Sequence, residues 1–327
     1  MADVVTFGET MIRLSPPSFQ RLEQTTALEL SVGGSEFTVA AGVSRLGLRA
    51  AWVSRLPANP LGWMVRNKAR EFGVDTSHIV WSKTDRMGLY FVEYGASPRA
   101  SSVLYDRAHS AMSQIRPGEI DWTPVLHGAR LFHVSGITPA LSDDAAAVTA
   151  EGLFAAKTAG ALVSYDLNYR EKLWSRDRAR QVQTPFMEQV DILITTEEDT
   201  ERVFGIQASD YRDVARELQA RFGFKVVTIT LRETPSVWRN HWEAFAYANG
   251  AVYGDAGYDV EVVDRVGAGD NYTAGFLYGY LTQDVEYAVR LGCAFSALKH
   301  TTWGDLNWAT RDEAEKLMAG ASMRINR

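Results

Sequence analysis

The sequence predicts an α/β fold with a mainly parallel central sheet and helices on both faces, and three observations lead there. Short apolar runs rich in β-formers recur along the chain, and each is followed by a stretch with helical period. The runs are continuously apolar and do not alternate, which is the mark of strands buried on both faces. In chain order the strands are expected at Val4–Phe7, Ala51–Ser54, Leu131–Val134, Leu162–Tyr165, Ile192–Thr195 and Val226–Thr230, with helices such as Ala145–Ala159 and Val214–Arg221 between them. Leu28–Val32 and the pair Gly88–Tyr94 and Ser102–Arg107 break this rhythm; the pair is joined by the turn-like GASPRA. These stretches read with equal weight as a small β-lid outside the main sheet or as edge strands of the same sheet.

The chain has 327 residues, 46% hydrophobic and 23% charged, enough to bury a large core. Its length allows two domains or one large domain with an insertion, and without a Pro/Gly/Ser linker or an internal repeat the second is favoured. The expectation is one domain over residues 1–327, with lid strands from about 13–33 and 87–107. The net charge of -6 offers no field for a nucleic-acid backbone or an anionic membrane. The single cysteine, Cys293, excludes an internal disulfide and a multi-thiolate zinc site, and reads as a small core residue in a reducing cytosol. With no signal-peptide pattern and no membrane-length apolar run, a cytoplasmic protein is expected.

The segment that carries chemistry is VVDRVGAGDNYTAGFLYGY, Val262–Tyr280, an apolar strand end leading through a glycine-rich turn into a helix. Small residues at Gly267, Ala268 and Gly269 let the backbone approach a ligand, and the free N–H groups of a helix start favour phosphate oxygens. Asp270 stands at the same helix start, where it can face an incoming hydroxyl as a base, although an ordinary N-cap on a tight turn is the simpler reading of this motif alone. Neither a GxxxxGK[ST] loop nor a GxGxxG fingerprint occurs.

A second signal is the Gly33–Gly34 pair in SVGGSEFTVAAGVSRLG, before an Ala/Val-rich helix. Together with the lid-like strands and the GAGD turn, it resembles the ribokinase-like, PfkB-type carbohydrate kinases over essentially the whole chain. That resemblance implies a three-layer α/β/α sandwich with a β-lid, and phosphoryl transfer from ATP with Mg²⁺. Asp270 would be the general base, and Gly267, Ala268 and Gly269 the anion hole. Within the family the likeness is greatest to the 2-keto-3-deoxygluconate kinases, through GETMIRLSPP, YDRAHSA, SGITPALS, DLNYREKLW and KHTTWGDLN. It implies sugar-acid contacts from Gly34, Thr38, Tyr90, Tyr105, Arg107, Arg170 and Asp305, and nucleotide contacts from Asn168, Arg232, Gly267, Gly269, Ala297 and His300.

The residue types make their own case. A planar guanidinium such as Arg107 or Arg170 matches the carboxylate of a sugar acid bidentately, and a tyrosine on a lid strand can cover a ring; each residue singly also fits a surface ion pair or strand packing. Three positions depart from the family pattern. Thr38 replaces asparagine in GGxxxN, Thr196–Asp199 replaces NxxE, and Thr230–Glu233 replaces a lysine-x-glycine turn. The metal role passes to Glu198 or Asp199, which equally fit capping of the following helix. The expected reaction is ATP-dependent phosphorylation of 2-keto-3-deoxygluconate, or its galactonate epimer, at the terminal 6-hydroxyl. A kinase for a neutral sugar or nucleoside, and a non-catalytic sugar-binding regulator, are the alternatives. His300 is read first as packing and second as a nucleotide edge contact. An exposed lid edge would suit pairing with a second copy, so a homo-oligomer, a dimer or higher, is expected.

Overall fold

The computed structural model describes residues 1–255 and 257–320, without the side chains of residues 232–235. The first half of the chain forms β1 (Val4–Phe7), β2 (Met11–Ser15), β3 (Glu29–Gly33), α1 (Ser35–Leu46), β4 (Ala50–Val53), β5 (Arg55–Pro57), α2 (Pro60–Glu71), β6 (Val80–Ser82), β7 (Leu89–Glu93), β8 (Ser102–Asp106), α3 (Trp122–Leu126), β9 (Leu131–Ser135) and α4 (Asp143–Thr158). The second half forms β10 (Leu162–Asp166), α5 (Arg176–Phe186), β11 (Ile192–Thr196), α6 (Glu197–Phe204), α7 (Tyr211–Phe222), β12 (Val226–Ser236), β13 (Arg239–Ala248), β14 (Ala251–Gly254), β15 (Tyr258–Glu261), α8 (Ala268–Thr282), α9 (Val285–Lys299) and α10 (Arg311–Met318).

The central sheet runs β14-β13-β12-β11-β10-β9-β1-β4, with β15 also on β13. From β4 to β12 it is parallel, and β13 to β15 add an antiparallel margin. Neighbouring residues of one strand feed opposite cores. Val4, Ile192 and Val226 pack with α1, α8 and α9, whereas Val5, Leu193 and Val227 pack with α4 and α7. This division buries both faces of the strands, which are therefore mostly apolar without alternating, and gives three layers.

The early irregular strands form a separate four-stranded sheet, β3-β2-β7-β8, with β2 and β7 parallel and the outer pairs antiparallel. They are not edges of the main sheet, because β1, from which β2 continues, already has both hydrogen-bonding edges taken by β4 and β9. The β12–β13 hairpin was not anticipated: the loop expected around Arg232 is instead strand, and the register shifts between Glu233 and Ser236. A proline inside a polar stretch hides such a strand from pattern reading, and a bulge is where a sheet tolerates one.

α8 is apolar on all sides and buried along most of its length, so it behaves as a core helix. It crosses α9 backbone to backbone: a Cβ on Gly275 would lie 2.9 Å from the Cα of Gly292 and 3.0 Å from the carbonyl oxygen of Leu291. Two opposing effects therefore meet at Gly275→Ala. Helix propensity favours alanine by about 1 kcal/mol, but forcing two backbones apart in a close-packed core costs about 1–3 kcal/mol. The expected outcome is net destabilisation, read as a lower urea midpoint at unchanged slope; a raised midpoint would show that the helices do not pack this closely.

Candidate active site

Chain order changes direction at β1, whose neighbours are β4 on one side and β9 on the other. Ligands of open α/β sheets bind outside the carboxyl ends of strands at such a switch point. A cleft of about 110 Å³ lies there, with Glu9 following β1 and Ile137 following β9 among its lining residues. A larger cleft of about 690 Å³ lies beyond the carboxyl ends of β11 and β12, reached by Thr196 and Thr230. Arg170, which follows β10, lines both.

The glycine-rich turn forms the floor of the smaller cleft. Gly267 is the N-cap of α8 with φ +81, and a Cβ there would lie 2.4 Å from the carbonyl oxygen of Asp305, so both conformation and space demand glycine. Of the three residues expected to form the anion hole, Ala268 is taken: its amide donates to the carbonyl of Arg265 at 3.2 Å and its side chain is buried. The first-turn amides of Gly269 and Asp270 have no earlier helical carbonyl to bond, and a Cβ added at Gly269 would meet nothing within 4 Å. The open donor pair is thus Gly269 with Asp270.

Asp270 lines the same cleft. The Ser35 hydroxyl, at the first position of α1, donates to its Oδ1 at 2.5 Å, and Asn168 Nδ2 donates to Ser35 Oγ at 3.3 Å. Burial pushes the Asp270 carboxyl up to about 6, Ser35 and Arg170 hold it back, and Asp305 adds to the rise. Asn168, expected on the nucleotide side, therefore reaches Asp270 through Ser35, from within the smaller cleft.

Gly34, Tyr90, Tyr105, Arg107, Arg170 and Asp305 all line this cleft. Tyr90 and Tyr105 face each other across β7 and β8 with ring centroids 6.0 Å apart, and the Arg107 guanidinium lies 5.6 Å over the Tyr105 ring. Arg107 is ion-paired with Glu9, which also accepts from Ser110, and the buried Arg107 Nε has no partner. Thr38 is placed elsewhere. It sits fully buried one turn into α1, its amide on the Gly34 carbonyl at 2.8 Å and its hydroxyl unpartnered, and it does not line the cleft.

Asp305 is held from below. Its Oδ1 accepts from Arg13 at 2.8 Å and its Oδ2 from Tyr90 at 2.8 Å, while Arg13 also pairs with Asp264 at 2.7 Å. Tyr94 donates to Asp264 at 2.8 Å, and the amides of Val266 and Gly304 bond the same carboxylate. Arg13, Glu9 and Asp264 escaped sequence reasoning. The available signal was a single charge inside the apolar strand MIRLS, which pattern alone cannot aim at a partner.

The larger cleft holds the carboxylates considered for a metal. Thr196, and neither carboxylate, caps α6, accepting from the Asp199 amide at 3.1 Å. Glu198 is exposed and paired with Arg202 at 3.2 Å. Asp199 is buried and its carboxyl raised by that burial, against the pull of Arg170. Asp166, at the end of β10, is pushed well above the ordinary range by desolvation and by Asp270 and Asp199. Among the described residues no three His, Cys, Asp or Glu side chains are grouped to hold a metal ion by themselves.

Two expected nucleotide contacts are not in this cleft. Ala297 packs with Val260 and Val262, and His300 is fully buried, its ring 5.4 Å from that of Trp242 and its Nδ1 2.8 Å from the Ser296 carbonyl. Ala297 lies on the buried side of α9 and His300 is the buried C-cap of that helix, so packing claims both. The side chain of Arg232 lies outside the described residues.

Comparison with known proteins fits this geometry. The profile of the pfkB family carbohydrate kinases matches residues 1–309. The chain is 39% identical to the 2-dehydro-3-deoxygalactonokinase of Haloferax volcanii over 100% of this chain and 99% of that one. It is 32% identical to the 5-dehydro-2-deoxygluconokinase of Shouchella clausii over 92% and 91% of the two chains. The crystal structure of the 2-dehydro-3-deoxygluconokinase of Thermotoga maritima is 44% identical and superposes with a TM-score of 0.95, covering 97% of this chain and 98% of that one.

A base must be deprotonated to act, so turnover is expected to fall as pH drops through about 6 and to level off above it. Ser35→Ala removes the hydrogen bond that holds the Asp270 carboxyl down, so the acid limb of the kcat/KM profile should move to higher pH. An unmoved limb in a folded variant would separate Ser35 from the base.

Proposed function

The chain belongs to the pfkB family of carbohydrate kinases, and from this membership we propose that it transfers the γ-phosphoryl group of ATP to the terminal 6-hydroxyl of a 2-keto-3-deoxy sugar acid, in the gluconate or galactonate series. The observation that carries this reading is the placement of Asp270. It lines one cleft together with Gly267, the N-cap of the same helix, and Arg170 joins that cleft to a second one large enough for a nucleotide.

The sugar acid lies between Tyr90 and Tyr105 of the small sheet and the floor formed by Gly34 and Gly267. Arg107, with its unpartnered Nε, meets the substrate carboxylate, while Asp305, held by Arg13 and Tyr90, accepts from sugar hydroxyls. Asp270 takes the proton of the attacking hydroxyl as the bond to the phosphorus forms. The amides of Gly269 and Asp270 and the guanidinium of Arg170 meet the charge on the equatorial phosphoryl oxygens as the bond to ADP breaks. Closure of the small sheet over the cleft excludes water, the competing acceptor. Magnesium suits the larger cleft, because this ion is usually held by one or two carboxylates together with substrate phosphates. Asp199, which lines that cleft, and Asp166, close enough to Asp199 to be raised by its charge, are the residues that would hold it, and it would neutralise phosphate charge.

The Glu9 partner of Arg107 favours a second reading, a neutral sugar, because it already balances that arginine. ADP release measured over a panel of sugar acids and uncharged sugars separates the two. For the acid reading, Arg107→Ala should weaken the acid about 10- to 100-fold, the loss of one charged hydrogen-bonding partner, and an uncharged analogue far less. Equal weakening of both would refute the carboxylate assignment. Asp270→Asn should lower kcat by about 10²- to 10⁴-fold and leave sugar binding measurable by calorimetry; near-normal turnover would refute the assigned base.

A further inference from the structure

The glycine-rich turn is fastened from behind by the last turn of α9. Lys299 is fully buried, and both of its hydrogen-bond acceptors are main-chain carbonyls, of Asp264 at 2.8 Å and of Thr302 at 3.5 Å. One helical turn earlier, the Ser296 hydroxyl donates to the Ala268 carbonyl at 2.8 Å. Asn271 completes the set, its Nδ2 donating to the carbonyls of Gly267 at 2.8 Å and Asp305 at 2.9 Å. In a trans peptide the carbonyl and the following N–H point in opposite directions. Holding the Ala268 carbonyl against α9 therefore turns the Gly269 amide away from α9.

A buried ammonium is costly, and the ordinary solution for a side chain of this length would be a methionine or leucine. Desolvation lowers the Lys299 pKa while Asp264 and Asp305 support its charge, so the carboxylates already tied to Arg13 also favour a cation here. We propose that Lys299 and Ser296 are positioning residues that clamp the back of the turn, Lys299 as an internal cation, so that the amides of Gly269 and Asp270 are preset to receive the transferring phosphoryl group. Nothing in this role touches substrate. It rests on the phosphoryl-transfer reading for its effect on turnover, and on geometry alone for its effect on the turn.

Lys299→Met keeps the stem and removes the charge. In the folded variant, kcat should fall at least tenfold with KM for ATP and sugar within threefold, and amide hydrogen exchange in a peptide covering residues 262–272 should quicken at least tenfold while β9 and α4 keep the wild-type rate. Lys299→Ala leaves room for a small cation, and ammonium chloride, but not tetramethylammonium chloride, should restore at least a third of the lost turnover. A folded Lys299→Met with kcat within twofold and unchanged exchange overturns the clamp, and so does lost turnover that ammonium fails to restore. If neither lysine variant folds, Ser296→Ala decides by the same two readouts: a three- to tenfold loss of kcat with faster exchange supports the proposal, and wild-type values overturn it. Should the wild-type chain turn over no sugar on the panel, the functional reading fails, and exchange at residues 262–272 still decides the clamp.

Discussion

The arrangement depends on one buried cation, Arg13, and the two carboxylates that it joins. Arg13 comes from the small sheet, Asp264 from the start of the glycine-rich turn, and Asp305 from the loop after α9, so a single guanidinium connects three parts of the chain. Removing one partner of such a buried set costs about 3–5 kcal/mol, because it strands a charge away from water, whereas the intact set gives little net stability. Its value is geometric. It holds Asp305 beside Tyr90 in the cleft wall, and it leaves the Asp264 carboxylate where the amides of Val266 and Gly304 can bond it.

A second charge pattern surrounds the two clefts. Asp166, Asp199 and Asp270 each stand close enough to Arg170 to be stabilised by it, and each is raised by burial. A carboxylate-rich junction would repel two anionic substrates if it stood alone. Arg170 and Arg107 supply the opposite sign beside it, and in the proposed reaction they would face substrate charge, while the raised carboxyl of Asp270 makes it a stronger proton acceptor than an exposed aspartate. Burial thus raises the Asp270 carboxyl while Arg170 beside it holds the rise back.

Much of this was legible in the chain. The six parallel strands stood out because burial on both faces removes the alternation of apolar and polar residues, single polar residues such as Thr6, His133 and Ser164 being buried too, and Val4–Phe7 was placed to the residue. The GAGD turn was legible because close backbone approach tolerates few residue types, as the contact of Gly267 with Asp305 shows. The β12–β13 hairpin was not, since its stability comes from pairing that local composition does not encode. Ala297 and His300 lay near the right elements but on the buried side of α9 and at its buried C-cap, an orientation that sequence likeness does not report.

The sequence by itself determined the layered α/β architecture, a glycine-rich turn at a helix start and the presence of arginines of the type that can grip a carboxylate, because periodicity, small side chains and guanidinium chemistry are local properties. Tertiary structure decided which residues meet. Arg13 reaches Asp305 across 292 positions of chain and Ser35 reaches Asp270 across 235, and such pairs exist only once the helices and sheets have packed. It also decided that Ala268 spends its amide inside the turn and that Thr38 faces the core. Electrostatic and hydrogen-bonding partners are selected by distances of a few ångströms, and chain order carries no measure of those distances until the core is formed.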